Sequence, residues 1–158
     1  YQEVTGVQTC ALPISSWRAS SYVGGSPGQE EGEGFNGDPE KDEDKDGQNA
    51  FLEFALGTDD GNSNSRSTPS IKIESIDIDG QAGQYVLFEF QRSSNANGIT
   101  HLIQTSSNLR EWNESSDQFI LFSSTDNGDG TEKVTYRSKE PFSSLGNSLY
   151  YRLSVSSN

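Results

Sequence analysis

The stretch that decides the fold is Gln84-Tyr85-Val86-Leu87-Phe88-Glu89-Phe90-Gln91, in the middle of a chain of 158 residues. Val86, Phe88 and Phe90 recur at every second position, and a period of two is typical of a strand that buries one face. Valine and phenylalanine also favour extended backbone. The stretch therefore predicts a half-buried β-strand.

The same period continues on both sides of this strand. The other positions predicted to face a core are Ile71, Ile73, His101, Ile103, Thr105, Phe119, Leu121, Val134, Tyr136, Leu149, Tyr151, Leu153 and Val155. Asp79-Gly80, Asn97-Gly98 and Asn127-Gly128-Asp129-Gly130 separate them, and these sequences favour hairpin turns. About six or seven short strands in this space predict a mainly β fold, an antiparallel immunoglobulin-like or fibronectin-like β-sandwich over residues 70–158.

The chain is acidic, and its charge is unevenly distributed. The formal net charge is -13, only 30% of the residues are hydrophobic, and carboxylates concentrate between residues 30 and 46. An acidic protein repels nucleic acid and anionic membranes, so we expect neither as a partner, whereas divalent cations are natural counter-ions. No apolar run approaches the ~20 residues that span a bilayer, so no membrane span is expected.

One part of the acidic stretch fits the pattern D-x-[DN]-x-[DN]-G-x5-E of an EF-hand-type loop. It reads Asp42-Glu43-Asp44-Lys45-Asp46-Gly47-Gln48-Asn49-Ala50-Phe51-Leu52-Glu53. Ca²⁺ takes six to eight oxygen ligands at about 2.3–2.6 Å, and alternate carboxylates on a tight turn can supply them. We predict Ca²⁺ as the cofactor, with these ligands: the side chains of Asp42, Asp44 and Asp46, the backbone carbonyl of Gln48, and the bidentate carboxylate of Glu53.

The surroundings of the loop qualify this prediction. Glu53 lies in a predicted short helix over residues 50–56, which Gly57 ends. The ninth loop position is Ala50, so a ligand there is water, or neighbouring Asn49 compensates. No long amphipathic helix enters the loop, so we do not expect a paired EF-hand of the sensor type. Extracellular modules of this kind bind calcium with a dissociation constant of about 10⁻⁴–10⁻³ M, and we expect the same modest affinity here. The alternative is a solvated acidic run on a flexible segment.

The rest of the chain divides by composition. Residues 4–14 resemble the translation of a sequencing adapter, so we exclude residues 1–14 from the fold. Because the chain contains no methionine, we expect a fragment of a longer protein. Residues 15–59 are predicted to form the calcium-loop segment with short helices, one of them over residues 15–22. Residues 60–69 are predicted to be a polar linker.

Several motifs together resemble a known arrangement. They are Trp17-Arg18 through Gly24, Asp42-Glu43-Asp44-Lys45-Asp46-Gly47, Phe51-Leu52-Glu53-Phe54-Ala55-Leu56-Gly57-Thr58-Asp59, Gln104-Thr105-Ser106-Ser107-Asn108-Leu109-Arg110-Glu111-Trp112, Asn127-Gly128-Asp129-Gly130-Thr131 and Tyr150-Tyr151-Arg152-Leu153. They resemble the C-terminal tails of large secreted bacterial surface proteins, in which a thrombospondin type 3-like or dockerin-like calcium loop precedes a β-sandwich. The resemblance implies a non-catalytic structural or attachment module, secreted or at the cell surface. We expect it to be monomeric.

Other functions remain as alternatives. His101 is the only histidine and Cys10 the only cysteine, so a catalytic Ser–His or Cys–His pair has little support, and a packed histidine is the simpler interpretation. A carbohydrate-binding module is the main alternative, with Tyr85, Phe122 and Tyr150 as a platform for cell-surface polysaccharide. Trp112 is expected to fill the core. A secretion or anchoring tail is the third alternative.

Overall fold

The protein is described by a computed structural model over residues 34–145 and 150–157. The adapter-like residues 4–14, the helix predicted over residues 15–22 and Leu149 lie outside the described residues. Within the described ranges, no helix is long and apolar enough to cross a bilayer.

A short helix precedes two antiparallel sheets. The elements are α1 (Ala50–Leu56), β1 (Ser70–Ile78), β2 (Gln81–Ser93), β3 (Ile99–Ser106), β4 (Asn113–Glu114), β5 (Phe119–Asp126), β6 (Thr131–Ser138) and β7 (Tyr150–Ser157). The four-stranded sheet has the order β1-β2-β6-β5 and the three-stranded sheet the order β4-β3-β7. The predicted mainly β sandwich with a preceding helix is confirmed.

The strand order is that of an immunoglobulin domain. With β1 as strand A, the larger sheet reads A-B-E-D, as in constant-type domains, and the smaller sheet holds C and F with the two-residue β4 beside C. Between β1 and β7 runs an apolar groove of about 600 Å³, whose lining includes Ile73, Trp112 and Tyr150.

The core lies between the sheets and is built on β2. Val86, Phe88 and Phe90 are buried with Ile103, Phe119 and Val134. The Phe90 ring stacks on Tyr136 with centroids 5.9 Å apart and on His101 at 5.5 Å. The predicted inward positions of β2 are therefore confirmed.

The opposite face of β2 is also covered, which the alternation did not predict. Leu87 is only 2% exposed although it points away from the core cluster. Its cross-strand neighbours are Lys72 on β1 and Arg137 on β6. Leu87 is therefore a buried residue on the face of β2 that the alternation assigned to solvent.

Three predicted core positions are wrong. Ile71 and Ile73 on β1 are 47% and 46% exposed, and Leu121 on β5 is 53% exposed. β1 and β5 are the two outer strands of the wider sheet, so the narrower sheet does not cover them fully. A register shift between Leu121 and Ser123 also disturbs the alternation of β5.

Two of the three predicted hairpins are present. Asp79 and Gly80, with φ of 54° and 81°, form the turn between β1 and β2, which matches a type I′ turn. Residues 127–130 join β5 to β6. The hairpin predicted at Asn97-Gly98 is wrong, because β2 and β3 belong to different sheets and the segment crosses between them.

Candidate metal centre

The acidic loop folds through hydrogen bonds between its own aspartates and its backbone. The two oxygens of Asp42 accept from the amides of Asp46 at 3.2 Å and Gly47 at 3.0 Å. Asp44 Oδ1 accepts from the Asp46 amide at 3.0 Å, and Asp46 Oδ1 from the Gln48 amide at 2.7 Å. Gly47 has φ of 92°, which lets the chain reverse here. These bonds curl the loop around its carboxylates.

The first three predicted ligands are brought together. Asp42, Asp44 and Asp46 each offer a carboxylate oxygen, and these oxygens lie within 4.8 Å of one another. Opposite ligands of Ca²⁺ are separated by roughly 5 Å, twice the bond length. Burial raises the pKa of Asp44, and the charges of Asp46 and Asp42 act in the same direction. The loop thus concentrates negative charge at the spacing of a cation site.

The fourth carboxylate, Glu53, borders this group without belonging to it. Glu53 lies in α1 and is 0% exposed. Its Oε1 accepts a hydrogen bond from the Thr58 hydroxyl at 3.1 Å, and its Oε2 is buried with no hydrogen bond. Burial is the main cause that raises the pKa of Glu53 to about 7, and the charges of Asp44 and Asp46 add to it.

Four buried oxygens in this region accept no hydrogen bond. They are Asp44 Oδ2, Asp46 Oδ2, Gln48 Oε1 and Glu53 Oε2. The Arg66 guanidinium Nε is 3.1 Å from Asp46 Oδ2, which makes an ion pair but not a well-aligned hydrogen bond. An unsatisfied buried polar atom costs about 1–3 kcal/mol, so such a group of oxygens fits a ligand set for a hard cation.

The positions around the ninth ligand have other roles. The Asn49 side chain caps α1 by accepting a hydrogen bond from the Leu52 amide at 3.0 Å. It is therefore engaged as a helix cap instead of compensating for Ala50. Gln48 Nε2 donates to the carbonyl of Ser67 at 2.8 Å, so its side chain ties the loop to the following segment.

The predicted helix boundaries are confirmed. α1 spans Ala50–Leu56, and Gly57 follows it in the left-handed conformation with φ of 72° and donates its amide to the Glu53 carbonyl. Glycine is favoured there because it has no Cβ to clash. The chain then reverses after a helix about 10 Å long and returns past the loop.

This return brings in a carboxylate that the sequence reasoning missed. Asp60 Oδ1 accepts a hydrogen bond from the Glu43 amide at 3.2 Å, and Asp60 lines the same pocket as Glu53 and Thr58. We predicted residues 60–69 as a linker from their polar composition. The available signal was the combination of a short helix, a C-terminal glycine and an acidic pair at residues 59 and 60.

Side chains of the sandwich hold the end of α1. Gln91 Nε2 donates to the Leu56 carbonyl at 3.1 Å, and His101 Nε2 lies 3.3 Å from the Ala55 carbonyl. The last carbonyls of a helix have no partner within the helix, and these contacts satisfy two of them. His101 therefore packs between Phe90 and α1. Its burial lowers its pKa.

The aromatic platform predicted for polysaccharide is not assembled. Tyr85 is 8% exposed, and the Arg137 guanidinium covers its ring at 4.7 Å. Phe122 and Tyr150 are exposed but lie on β5 and β7, in different sheets. Trp112 is half-buried outside the core cluster, with Arg152 over its ring; the prediction that it fills the core is wrong.

No protein-family model, curated protein or solved structure matches this chain.

Proposed function

We propose that this protein is a non-catalytic, extracellular calcium-binding module in which one Ca²⁺ stabilises the loop and helix that precede the β-sandwich. The observation that carries the proposal is Glu53, a carboxylate that is fully buried beside three aspartates and has an oxygen without a hydrogen bond. A buried charge of this kind is costly unless a cation or a proton compensates it.

The donor chemistry favours calcium among the metal ions. Every candidate ligand atom is an oxygen, and no cysteine or histidine belongs to the acidic group found in the described residues. Hard cations prefer such ligands, whereas zinc and copper favour nitrogen and sulfur. Mg²⁺ demands a rigid octahedral arrangement at about 2.0–2.1 Å and keeps much of its water, so a loop that offers several protein oxygens to one ion suits Ca²⁺ better.

Binding at this loop has a structural consequence. Glu53 lies in α1, and the end of α1 is attached to the sandwich through Gln91 and His101. At a calcium concentration ten times the dissociation constant, binding stabilises the folded state by about 1.4 kcal/mol. Extracellular calcium is the setting in which such weak sites are occupied. A secreted or cell-surface location is therefore part of the proposal.

Calorimetric titration of the full chain with CaCl₂ tests this function. We expect binding near one ion per chain, with a matching rise in melting temperature, and loss of both in Asp44→Ala and Glu53→Ala. Asp117→Asn removes a carboxylate from the surface of the sandwich and serves as the control that keeps binding. The absence of heat and of any melting shift in the unsubstituted chain at millimolar calcium contradicts the proposal.

Carbohydrate binding is a second candidate because Trp112 and Tyr150 line one groove. Aromatic rings stack on the apolar faces of sugars, and two aromatic side chains are among the residues that line this groove. Retention of the full chain on insoluble polysaccharide, lost on Tyr150→Ala and kept on Phe122→Ala, supports this candidate. Equal retention of both variants excludes the groove as a carbohydrate-binding site.

A further inference from the structure

Asp60 lies outside the twelve-residue loop, yet its carboxyl group lies close to residues of the loop. Its Oδ1 accepts from the Glu43 amide at 3.2 Å, which anchors it to the loop backbone. Its charge also acts on Asp44, inside the loop, and on the Lys41 ammonium before it. Asp60 is half-buried, as are the three loop aspartates.

Asp60 and Glu53 line one pocket beside the loop, together with Thr58 and Lys41. Two carboxylates that line one pocket repel each other when both are ionised. A divalent cation between them removes the same repulsion. Glu53 Oε2, buried and without a hydrogen bond, is the independent sign that a ligand belongs here.

We propose that Asp60 is a calcium ligand supplied from outside the loop. This inference rests on the proposed function and extends its ligand set. Ala50 offers no side-chain oxygen, and Asn49 is engaged as the helix cap. With a bidentate Glu53, the predicted loop ligands supply six oxygens, and Asp60 supplies a seventh, within the six to eight that Ca²⁺ prefers.

With Asp60 as a ligand, the ion connects the loop to the segment that follows α1. The segment after α1 contacts the loop at several points: the Thr58 hydroxyl on Glu53, Asp60 on the Glu43 amide, Arg66 on Asp46, and the Ser67 carbonyl on Gln48. This segment leads into β1, which begins at Ser70. An ion held by Asp60 therefore fastens the loop to the chain that enters the sandwich, in addition to closing the loop itself.

A pair of adjacent substitutions tests the inference in the full chain. Asp60→Asn keeps an oxygen for the Glu43 amide and removes the charge, and Asp59→Asn removes the same charge one residue earlier. Asp59 is exposed and accepts a hydrogen bond from the Gly61 amide within its own turn. We expect Asp60→Asn to weaken calcium binding by about tenfold or more, and Asp59→Asn to leave it nearly unchanged at about 0.15 M KCl, where exposed charges are screened.

The melting temperature in EDTA distinguishes a ligand role of Asp60 from a role in folding. A ligand role predicts that Asp60→Asn melts at or above the temperature of the unsubstituted chain without calcium, because one repelling carboxylate is gone. A purely structural role predicts a lower melting temperature in EDTA. Binding of Asp60→Asn equal to that of the unsubstituted chain, or equal weakening by both variants, overturns the assignment and leaves the proposed function standing. An unsubstituted chain that binds no calcium overturns both.

Discussion

The Thr58 hydroxyl donates a 3.1 Å hydrogen bond to Glu53 Oε1, across the C-terminal end of α1. This bond favours the ionised carboxylate, but burial outweighs it, and the pKa of Glu53 is raised to about 7. The buried side of α1 therefore carries the Glu53 carboxyl group, and no positively charged group of the described residues compensates its charge. The stability of the calcium-free protein should depend on that charge.

We expect the calcium-free protein to lose stability as the pH rises from 5 to 8. A carboxyl group with a raised pKa stabilises the folded state fully below its unfolded value, and this contribution disappears as the pH passes the folded value of about 7. The loss attributable to Glu53 is about 3 kcal/mol. Urea unfolding in EDTA across this range measures it.

Glu53→Gln is the matched variant for this prediction. The amide keeps the shape of the side chain and cannot ionise, so the slope above pH 6 should flatten and the variant should be more stable than the unsubstituted chain at pH 8 in EDTA. The same variant should lose its melting response to calcium. A Glu53→Gln variant that is less stable at pH 8 in EDTA contradicts the assignment of an uncompensated charge.

His101 should have the opposite effect at lower pH, where it makes the free energy of unfolding rise with pH. Its pKa is lowered, first by burial and also by the charge of Arg92, so the unfolded chain binds a proton more readily. Its contribution to stability is fully present above the unfolded pKa of about 6.5 and is lost as the pH falls from there through the lower folded pKa. His101→Phe keeps the stacking on Phe90 and should flatten the slope between pH 5 and 6.5. An unchanged slope would show that other groups cause it.

The contact between Gln91 and the Leu56 carbonyl should contribute to the stability of the whole protein. Replacing the donor with a side chain of similar length, Gln91→Met, leaves that carbonyl without its partner and should cost about 1 kcal/mol in urea unfolding. Gln104→Met is the control, because Gln104 accepts an exposed bond from Arg152. It should change stability by less than about 0.5 kcal/mol. Equal effects would mean that α1 is not attached through Gln91.

The features that the sequence predicted are those determined by neighbours in the chain. The alternation around Phe88 and the turn at Asp79-Gly80 follow from strand period and from backbone preference alone. Gly57 at the end of α1 follows from local chemistry in the same way. Such signals need no knowledge of which strand lies beside which.

The features that the sequence missed depend on distant parts of the chain. Ile73 has the period of a buried residue, but its exposure follows from the unequal width of the two sheets. The approach of Asp60 to Glu53 depends on the reversal after α1. Asn97-Gly98 has hairpin chemistry and yet joins strands in different sheets. In each case the local pattern is compatible with two arrangements, and packing decides between them.

The close contact between α1 and the sandwich gives the last prediction, the substitution of Gly57. With φ of 72°, an alanine here carries backbone strain of about 1–2 kcal/mol. Its Cβ would also lie 2.6 Å from Thr131 Cγ2 and 3.3 Å from the Ser93 backbone. Thr131 cannot easily turn away, because its hydroxyl is bonded to Asp129 at 2.6 Å.

Gly128→Ala separates strain from crowding, since Gly128 has φ of 79° and an added methyl group there would meet nothing within 4 Å. Gly128→Ala should lower the free energy of unfolding only by the strain, about 1–2 kcal/mol. Gly57→Ala should lower it by about 3 kcal/mol or more in urea unfolding, because α1 must move off the sandwich. That movement carries Glu53 with it, so Gly57→Ala should also weaken calcium binding while Gly128→Ala does not. Equal costs for the two alanines, with calcium binding intact in both, would show that the ion site is independent of the sandwich.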